Sequence, residues 1–469
     1  LIENKYLDLE QANVFLYEHE NTKARVLVMK NEDQNKLFSI GFRTPPPNST
    51  GVCHILEHCV LNGSKKYRTR EPFMDMVKSS LQTFLNAMTY PDKTIYPVAS
   101  RNTKDFENLM DVYLDAVFNP IVKERKEVFL QEGWRYHLNE DGSIEYKGVV
   151  YNEMKGAMSS AEDQVFDSIY ENLYPDTIYG LNSGGDPYEM TELSYDDFIN
   201  FYDDYYHPSN SYIFLYGDID QDKYMTYIDQ EYLSNYSFKD VDSSISLQEP
   251  FEQPKRIESF FSTTKNEKDN SNMVSYSVIT EKSDKAYDKI MNQLLRQALI
   301  NSESSPLKKA INDLEIVEDI LNASSTARQI SFSILGKNIR EKDTNLFVDT
   351  IEDTLKYIVV NGIDPDLIKS MLNNMYFNIF EKNDNPTKGI EYLSNAFSSW
   401  LYDISPIESL DINKTLEYIE ENLDKGIVEK YIQEKILDNP HKLVIIHKPK
   451  FGLNDEKDLK VKEKLKELA

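Results

Sequence analysis

The stretch Gly51-Val-Cys-His-Ile-Leu-Glu-His-Cys-Val-Leu-Asn-Gly-Ser64 places two imidazoles and one carboxylate on a single face of a predicted helix. Residues three and four apart are neighbours on an α-helix, so His54 and His58 can share one cation while Glu57 faces the same opening. Ser49 or Thr50 is placed to cap this helix, and Asn62-Gly63 to end it. Working outward, residues 14–17, 24–29 and 36–42 alternate as strands do, and Pro45-Pro46-Pro47 breaks that sheet. The motif helix thus follows a strand directly.

Neutral imidazole is a favoured zinc ligand, and a catalytic zinc needs a third protein ligand plus a position left for water. Zinc brings the pKa of that water to roughly 7, where a nearby carboxylate can take its proton and pass it to a leaving amine. Glu57 is the carboxylate in that position, and H-x-x-E-H is the inverted form of the H-E-x-x-H zinc-peptidase pattern. The chain has 7 His and 79 acidic residues in 469. Chance alone would produce the pattern in about one such chain in a hundred. A surface helix that happens to carry two His and a Glu is the competing reading. Glu132, Glu153 and Glu162 all lie on predicted helices, and composition leaves the third ligand open among them.

A chain of 469 residues is too long for one core and suggests two domains of about 200 to 250 residues each. No apolar run approaches the roughly 18 residues that would span a bilayer, which argues against an integral membrane protein. The formal charge of −27 argues against nucleic-acid binding, which wants a basic face. Where that charge lines a cavity, cationic peptides would be concentrated. Cys53 and Cys59 fall on different helical faces, which excludes a disulfide between them and reads as buried free thiols in a reducing compartment.

Residues 81–90 and 94–100 read as a hairpin around Pro91-Asp92-Lys93. Phe106, Leu109, Met110, Tyr113 and Val117 recur at helical spacing until Pro120. Further helices are expected over 124–133, over 149–173 as one long helix through Glu153, and over 196–205, with a strand at 212–216. Tyr179-Gly-Leu-Asn-Ser-Gly-Gly-Asp186 lacks a phosphate-binding fingerprint and reads as a structural turn. Strands and helices alternate again over 258–447. The repeated rhythm implies an α+β protein of two related α/β domains, each a mixed sheet with helices packed on it, joined near 240–257. His19, His137, His207, His441 and His447 have no partner at metal spacing and are assigned no role.

The motif segment, with Lys66-Tyr67 and Glu71-Pro-Phe73 after it, resembles the zinc-site segment of the pitrilysin family, and most of all its presequence-protease and falcilysin branch. Thr83-Phe-Leu-Asn-Ala-Met-Thr-Tyr90, Gln131-Glu-Gly-Trp134, Gly148-Val-Val-Tyr-Asn-Glu-Met-Lys-Gly156, Ser183-Gly-Gly-Asp-Pro187 and Tyr206-His-Pro-Ser-Asn210 extend the match to about residue 217. Later segments match only loosely. The resemblance implies a zinc metalloendopeptidase holding one Zn²⁺ per chain through His54, His58 and Glu153, the Glu of the N-E-M-K-G segment, with Glu57 as general base. It implies that an edge strand at Leu85, Asn86, Ala87 and Met88 pairs with short unfolded peptides, an arrangement that tolerates many sequences.

Members of this branch look like two similar halves closing as a clam shell, and this chain has the length of the first. Expected boundaries are 1–245 for a catalytic zinc-binding domain, 258–450 for a similar non-catalytic one, and 451–469 for the start of a helical linker to a missing C-terminal half. Leu stands at position 1 where Met would be expected, and the last helix lacks a terminator. The oxyanion-binding Arg and Tyr that the resemblance places in the second half match nothing here. The isolated chain is therefore expected to hold zinc and to be weak or inactive, unless a second copy supplies the missing half. A non-catalytic peptide- or partner-binding subunit is the alternative, although such members usually have an eroded motif. The compartment would be the cytoplasm in a bacterium or an organelle matrix in a eukaryote.

Overall fold

A computed structural model of the chain describes residues 1–69, 72–264, 272–301, 305–380 and 387–468. Glu71 and Ala469 lie outside the described residues. The first part supplies β1 (Glu3–Leu7), β2 (Ala12–Glu18), β3 (Arg25–Lys30), β4 (Lys36–Arg43), β5 (Gln82–Leu85), β6 (Met88–Thr89), β7 (Lys93–Ser100), a hairpin of β8 (Arg135–Leu138) and β9 (Ile144–Lys147), and β10 (Ser211–Gly217). The second supplies β11 (Lys255–Thr263), β12 (Asn272–Lys282), β13 (Asp319–Asn322), β14 (Gln329–Ile339) and β15 (Lys442–Phe451).

The two large sheets run β1-β2-β3-β10-β4-β7-β5, with β6 also on β7, and β11-β15-β12-β14-β13. In each, the last strand in sequence inserts between the first and second of a five-strand core, parallel to one and antiparallel to the other. Thus β10 pairs parallel with β3 (Tyr212 opposite Arg25) and antiparallel with β4, while β15 pairs parallel with β11 (Leu443 opposite Lys255) and antiparallel with β12. This shared topology bears out the α+β reading of two related units. The central strands are buried on both faces, so Tyr212-Ile-Phe-Leu-Tyr216 reads as a continuous apolar run rather than an alternating one.

Each unit also lends a helix to the other. Ala161–Leu173 packs on β11, β12 and β15, and Lys388–Trp400 lies across the first sheet, where Trp400 meets the Tyr212 ring at 5.1 Å. One apolar core therefore contains Leu27, Met29 and Phe214 together with Leu393, Phe397 and Leu443. Tertiary packing of this kind buries both units' apolar faces at once.

Three local expectations are corrected. The long helix expected over 149–173 is two, Val149–Ala157 and Ala161–Leu173. Ser160 stops the run because its side chain accepts from Asp163 N, which starts a new helix. The motif helix, Val52–Val60, is not capped by Ser49 or Thr50; its N-cap is Gly51 at φ 73°, with no side-chain cap. Ser49 Oγ instead accepts from Asn182 N at 3.2 Å, and Thr50 Oγ1 donates to Asn48 at 2.6 Å. The strand expected over 81–90 breaks between β5 and β6 at Asn86-Ala87, although the turn closes as expected with Tyr90 N donating to Lys93 O at 2.8 Å. β1 has no counterpart in the sequence reading. Among the described residues, no helix is long and apolar enough to cross a membrane.

The final helix, Leu453–Leu468, turns back onto the first unit. Leu465 joins the core beneath the motif helix, and Asp458 accepts from Tyr188 Oη at 2.8 Å and pairs with Lys155, on the helix that carries Glu153.

Candidate metal centre

The motif helix buries Val52, Cys53, Ile55, Leu56, Cys59 and Val60 against the first sheet. That apolar face leaves His54, Glu57 and His58 on the opposite side, lining an open cleft of about 470 Å³ with Asn86, Ala87, Met88, Thr89, Tyr90, Glu153 and Gly184. Across the cleft, Glu153 Oε2 stands 3.9 Å from Nε2 of both His54 and His58. Ligand atoms of these three residues lie within 4.8 Å of one another, and among the described residues no other such group of His, Cys, Asp and Glu occurs. Bonds of about 2 Å from each would meet at one ion.

The far nitrogens are held from behind. His54 Nδ1 donates to Gly184 O at 3.0 Å, and His58 Nδ1 to Glu132 Oε2 at 3.3 Å. A neutral imidazole whose Nδ1 carries the proton presents a lone pair at Nε2, so both rings offer a donor toward Glu153. Two imidazole nitrogens and a carboxylate oxygen fit zinc's preferences. Burial pulls the His58 pKa down, but the Glu132 hydrogen bond and the charges of Glu57, Glu132 and Glu153 outweigh it and raise it. Glu57 Oε2 accepts from Thr89 Oγ1 at 2.8 Å, which ties the motif helix to the short strand β6.

Of the proposed substrate strand, Asn86, Ala87 and Met88 border the cleft, whereas Leu85, on β5, pairs with Val98 of β7 and packs against the core. β5 ends its sheet, so its outer edge is free to pair. Glu162, a candidate third ligand by composition, pairs with Lys337 of the second unit. Gly184, Thr89 and the placement of Glu132 behind His58 were not foreseen. Gly184 acts through a main-chain carbonyl, and Thr89 reaches Glu57 only once the short strand β6 packs beside the motif helix. For Glu132 the sequence offers only a ligand's role. The 179–186 turn is thus more than structural.

The remaining histidines do other work. His447 lies buried between Ser259 and Ser275, His441 stacks on Phe251 and meets Leu173 O at 2.9 Å, and His19 reaches Thr22 and Asp229. Cys53 and Cys59 are free and buried; burial pushes the Cys53 thiol up to about 12 and raises Cys59 well above its ordinary value. Burial disfavours the nucleophilic thiolate form of both.

Beside the cleft, past Tyr90 and Gly185, a cavity of about 1000 Å³ opens between the units. Asp163, Asp167, Glu171, Asp186 and Glu189 line its first-unit side and Phe260 and Ser325 its second. Burial, with Asp163 and Asp186 nearby, pushes the Asp167 carboxyl up to about 6.

A helix carrying the inverted H-x-x-E-H pattern and duplicated α+β units define a class that comparison with known proteins fixes: the chain belongs to the M16, or pitrilysin, peptidase family. Residues 37–182, which include His54, Glu57, His58, Glu132 and Glu153, match the family described as insulinase (peptidase family M16), and residues 192–375 match the peptidase M16 inactive domain. Within the family the chain is presequence protease-like. It is 36% identical over 460 residues to presequence protease 1, chloroplastic/mitochondrial, of Arabidopsis thaliana, covering 96% of this chain and 42% of that one. It is 44% identical over 475 residues to Protein HypA of Clostridium perfringens, covering 99% of this chain and 49% of the relative. The chain thus spans about half the length of these relatives. Among solved structures, a protease from Helicobacter pylori shares the fold with a TM-score of 0.70 at 13% identity, covering 95% of this chain and all of that one. Pitrilysin gives 0.65 at 15% identity, with 96% of this chain on 46% of its own.

Proposed function

We propose that this chain is the catalytic part of a zinc metalloendopeptidase that hydrolyses short unfolded peptides. The observation that carries the reading is the convergence of His54, His58 and Glu153 on one point of a cleft that Glu57 and residues 86–90 also line. Zinc held there would polarise the scissile carbonyl and acidify a water in the open position. Glu57, whose Oε2 is held by Thr89, would serve as the base that takes a proton from such a water and returns it to the leaving amine. The edge at Leu85, Asn86, Ala87 and Met88 pairs with the backbone of an extended peptide, which orients the carbonyl and selects for unfolded chains. The acidic cavity beyond favours cationic peptides.

Residues 1–245 form the zinc-binding unit and 258–450 its non-catalytic counterpart. A C-terminal half or a second copy of the chain would complete the chamber. The compartment is cytoplasm in a bacterium and an organelle matrix in a eukaryote. The test is cleavage of a short, cationic, unstructured peptide by the 469-residue chain with stoichiometric zinc, beside its Glu57→Gln variant. Cleavage that disappears in the variant supports the reading. Equal cleavage by both would rule out Glu57 as the base.

A further inference from the structure

We propose that Glu132 is the positioning residue that holds His58 in its metal-binding form and balances the charge of the centre, an inference that rests on the zinc reading above. Glu132 ends the helix Lys126–Glu132 and is 5% exposed. Its Oε2 accepts from His58 Nδ1 at 3.3 Å, and its Oε1 accepts from Gln131 Nε2 at 2.9 Å. Among the described residues, its ion-pair partner is His58 rather than any Lys or Arg. A carboxylate this buried is costly unless a positive charge compensates it.

The metal centre supplies that charge. Two neutral imidazoles and Glu153 leave a divalent ion with one positive charge, which Glu132 faces through the ring of His58 while Glu57 faces it from the cleft. Glu132 itself is not a ligand in this arrangement, because it faces Nδ1 while Glu153 faces Nε2. A carboxylate drawing on Nδ1–H fixes the tautomer and ring orientation and makes Nε2 a stronger donor. The two histidines are therefore unequal: His54 leans on a main-chain carbonyl and His58 on an anion.

The test is zinc affinity, read by competition with a chromogenic chelator, for the wild type, Glu132→Gln and Glu132→Ala. Melting of each metal-free protein separates folding from binding. Glu132→Ala is expected to weaken zinc about 10- to 100-fold, the range typical of outer-shell partners. Glu132→Gln keeps an acceptor oxygen without the charge and should fall between it and the wild type. A residue serving only the fold would lower metal-free melting and leave the affinity of the folded protein unchanged. Both variants binding zinc as tightly as the wild type would overturn the proposal. Should Glu132→Ala not fold, Glu132→Gln alone decides it, with unchanged affinity as the overturning result. A wild type that binds no zinc would instead strike the peptidase reading itself.

Discussion

Glu57 and His58 are adjacent in sequence, yet the site asks different things of them, and substitution separates the two tasks. Glu57→Gln preserves size and the Thr89 contact but removes the proposed base. It should keep zinc and slow peptide hydrolysis by about 10²- to 10⁴-fold in an active form of the enzyme. His58→Ala removes a ligand and should lose both metal and hydrolysis, as metal analysis beside a peptide assay would check. Normal turnover by Glu57→Gln would contradict the assigned role. The motif was legible because helical geometry links positions 54, 57 and 58 through local spacing. Glu153 was not legible from the residues alone, since acidic side chains are plentiful and it lies far along the chain on another helix. Only the N-E-M-K-G resemblance selected it. Thr89 and Gly184 were illegible for another reason: they act through contacts that only tertiary packing creates.

At the scale of elements, the entry to the motif helix depends on glycine. Gly51 has φ 73°, and a Cβ there would lie 2.8 Å from Gly184 O and 2.9 Å from Gly185 Cα. Left-handed backbone costs a non-glycine residue about 1–2 kcal/mol before any clash is counted. Gly51→Ala is therefore expected to lower stability by at least about 1 kcal/mol in urea unfolding. It should also weaken zinc binding, because the displaced carbonyl is the one that orients His54. An unchanged unfolding midpoint would show that the close approach is not needed. The strands and most helices followed from periodicity, whereas the break before Ser160 did not. Apolar spacing continues across it, and the competing signal was Ser160 with Asp163 three residues on.

At the scale of the molecule, the shared rhythm of strands and helices anticipated two related units, but not the helices they exchange, because periodicity does not say which sheet a helix covers. The joint between them includes Asp92, only 2% exposed. It accepts from Tyr402 of the second unit at 2.7 Å and from Tyr179 at 2.8 Å, and pairs with Lys93 at 3.1 Å. Burial raises its pKa, but the Lys93 charge and these hydrogen bonds outweigh it, and the net shift is downward. A carboxylate depressed on folding stabilises the native state above its unfolded pKa, near 3.8, and that contribution is lost as pH falls through the lower folded value. Asp92→Ala should cost about 3–5 kcal/mol at neutral pH. The gap between wild type and variant should narrow below about pH 4; a gap independent of pH would contradict the ionised anchor.

The measurement closest to the central claim is the zinc content and affinity of the 469-residue chain beside Glu57→Gln, His58→Ala and Glu153→Ala. The expected result is one zinc per chain in the wild type and Glu57→Gln, with binding lost in His58→Ala and strongly weakened in Glu153→Ala. Zinc held equally by all four, or by none, would contradict a centre built from His54, His58 and Glu153.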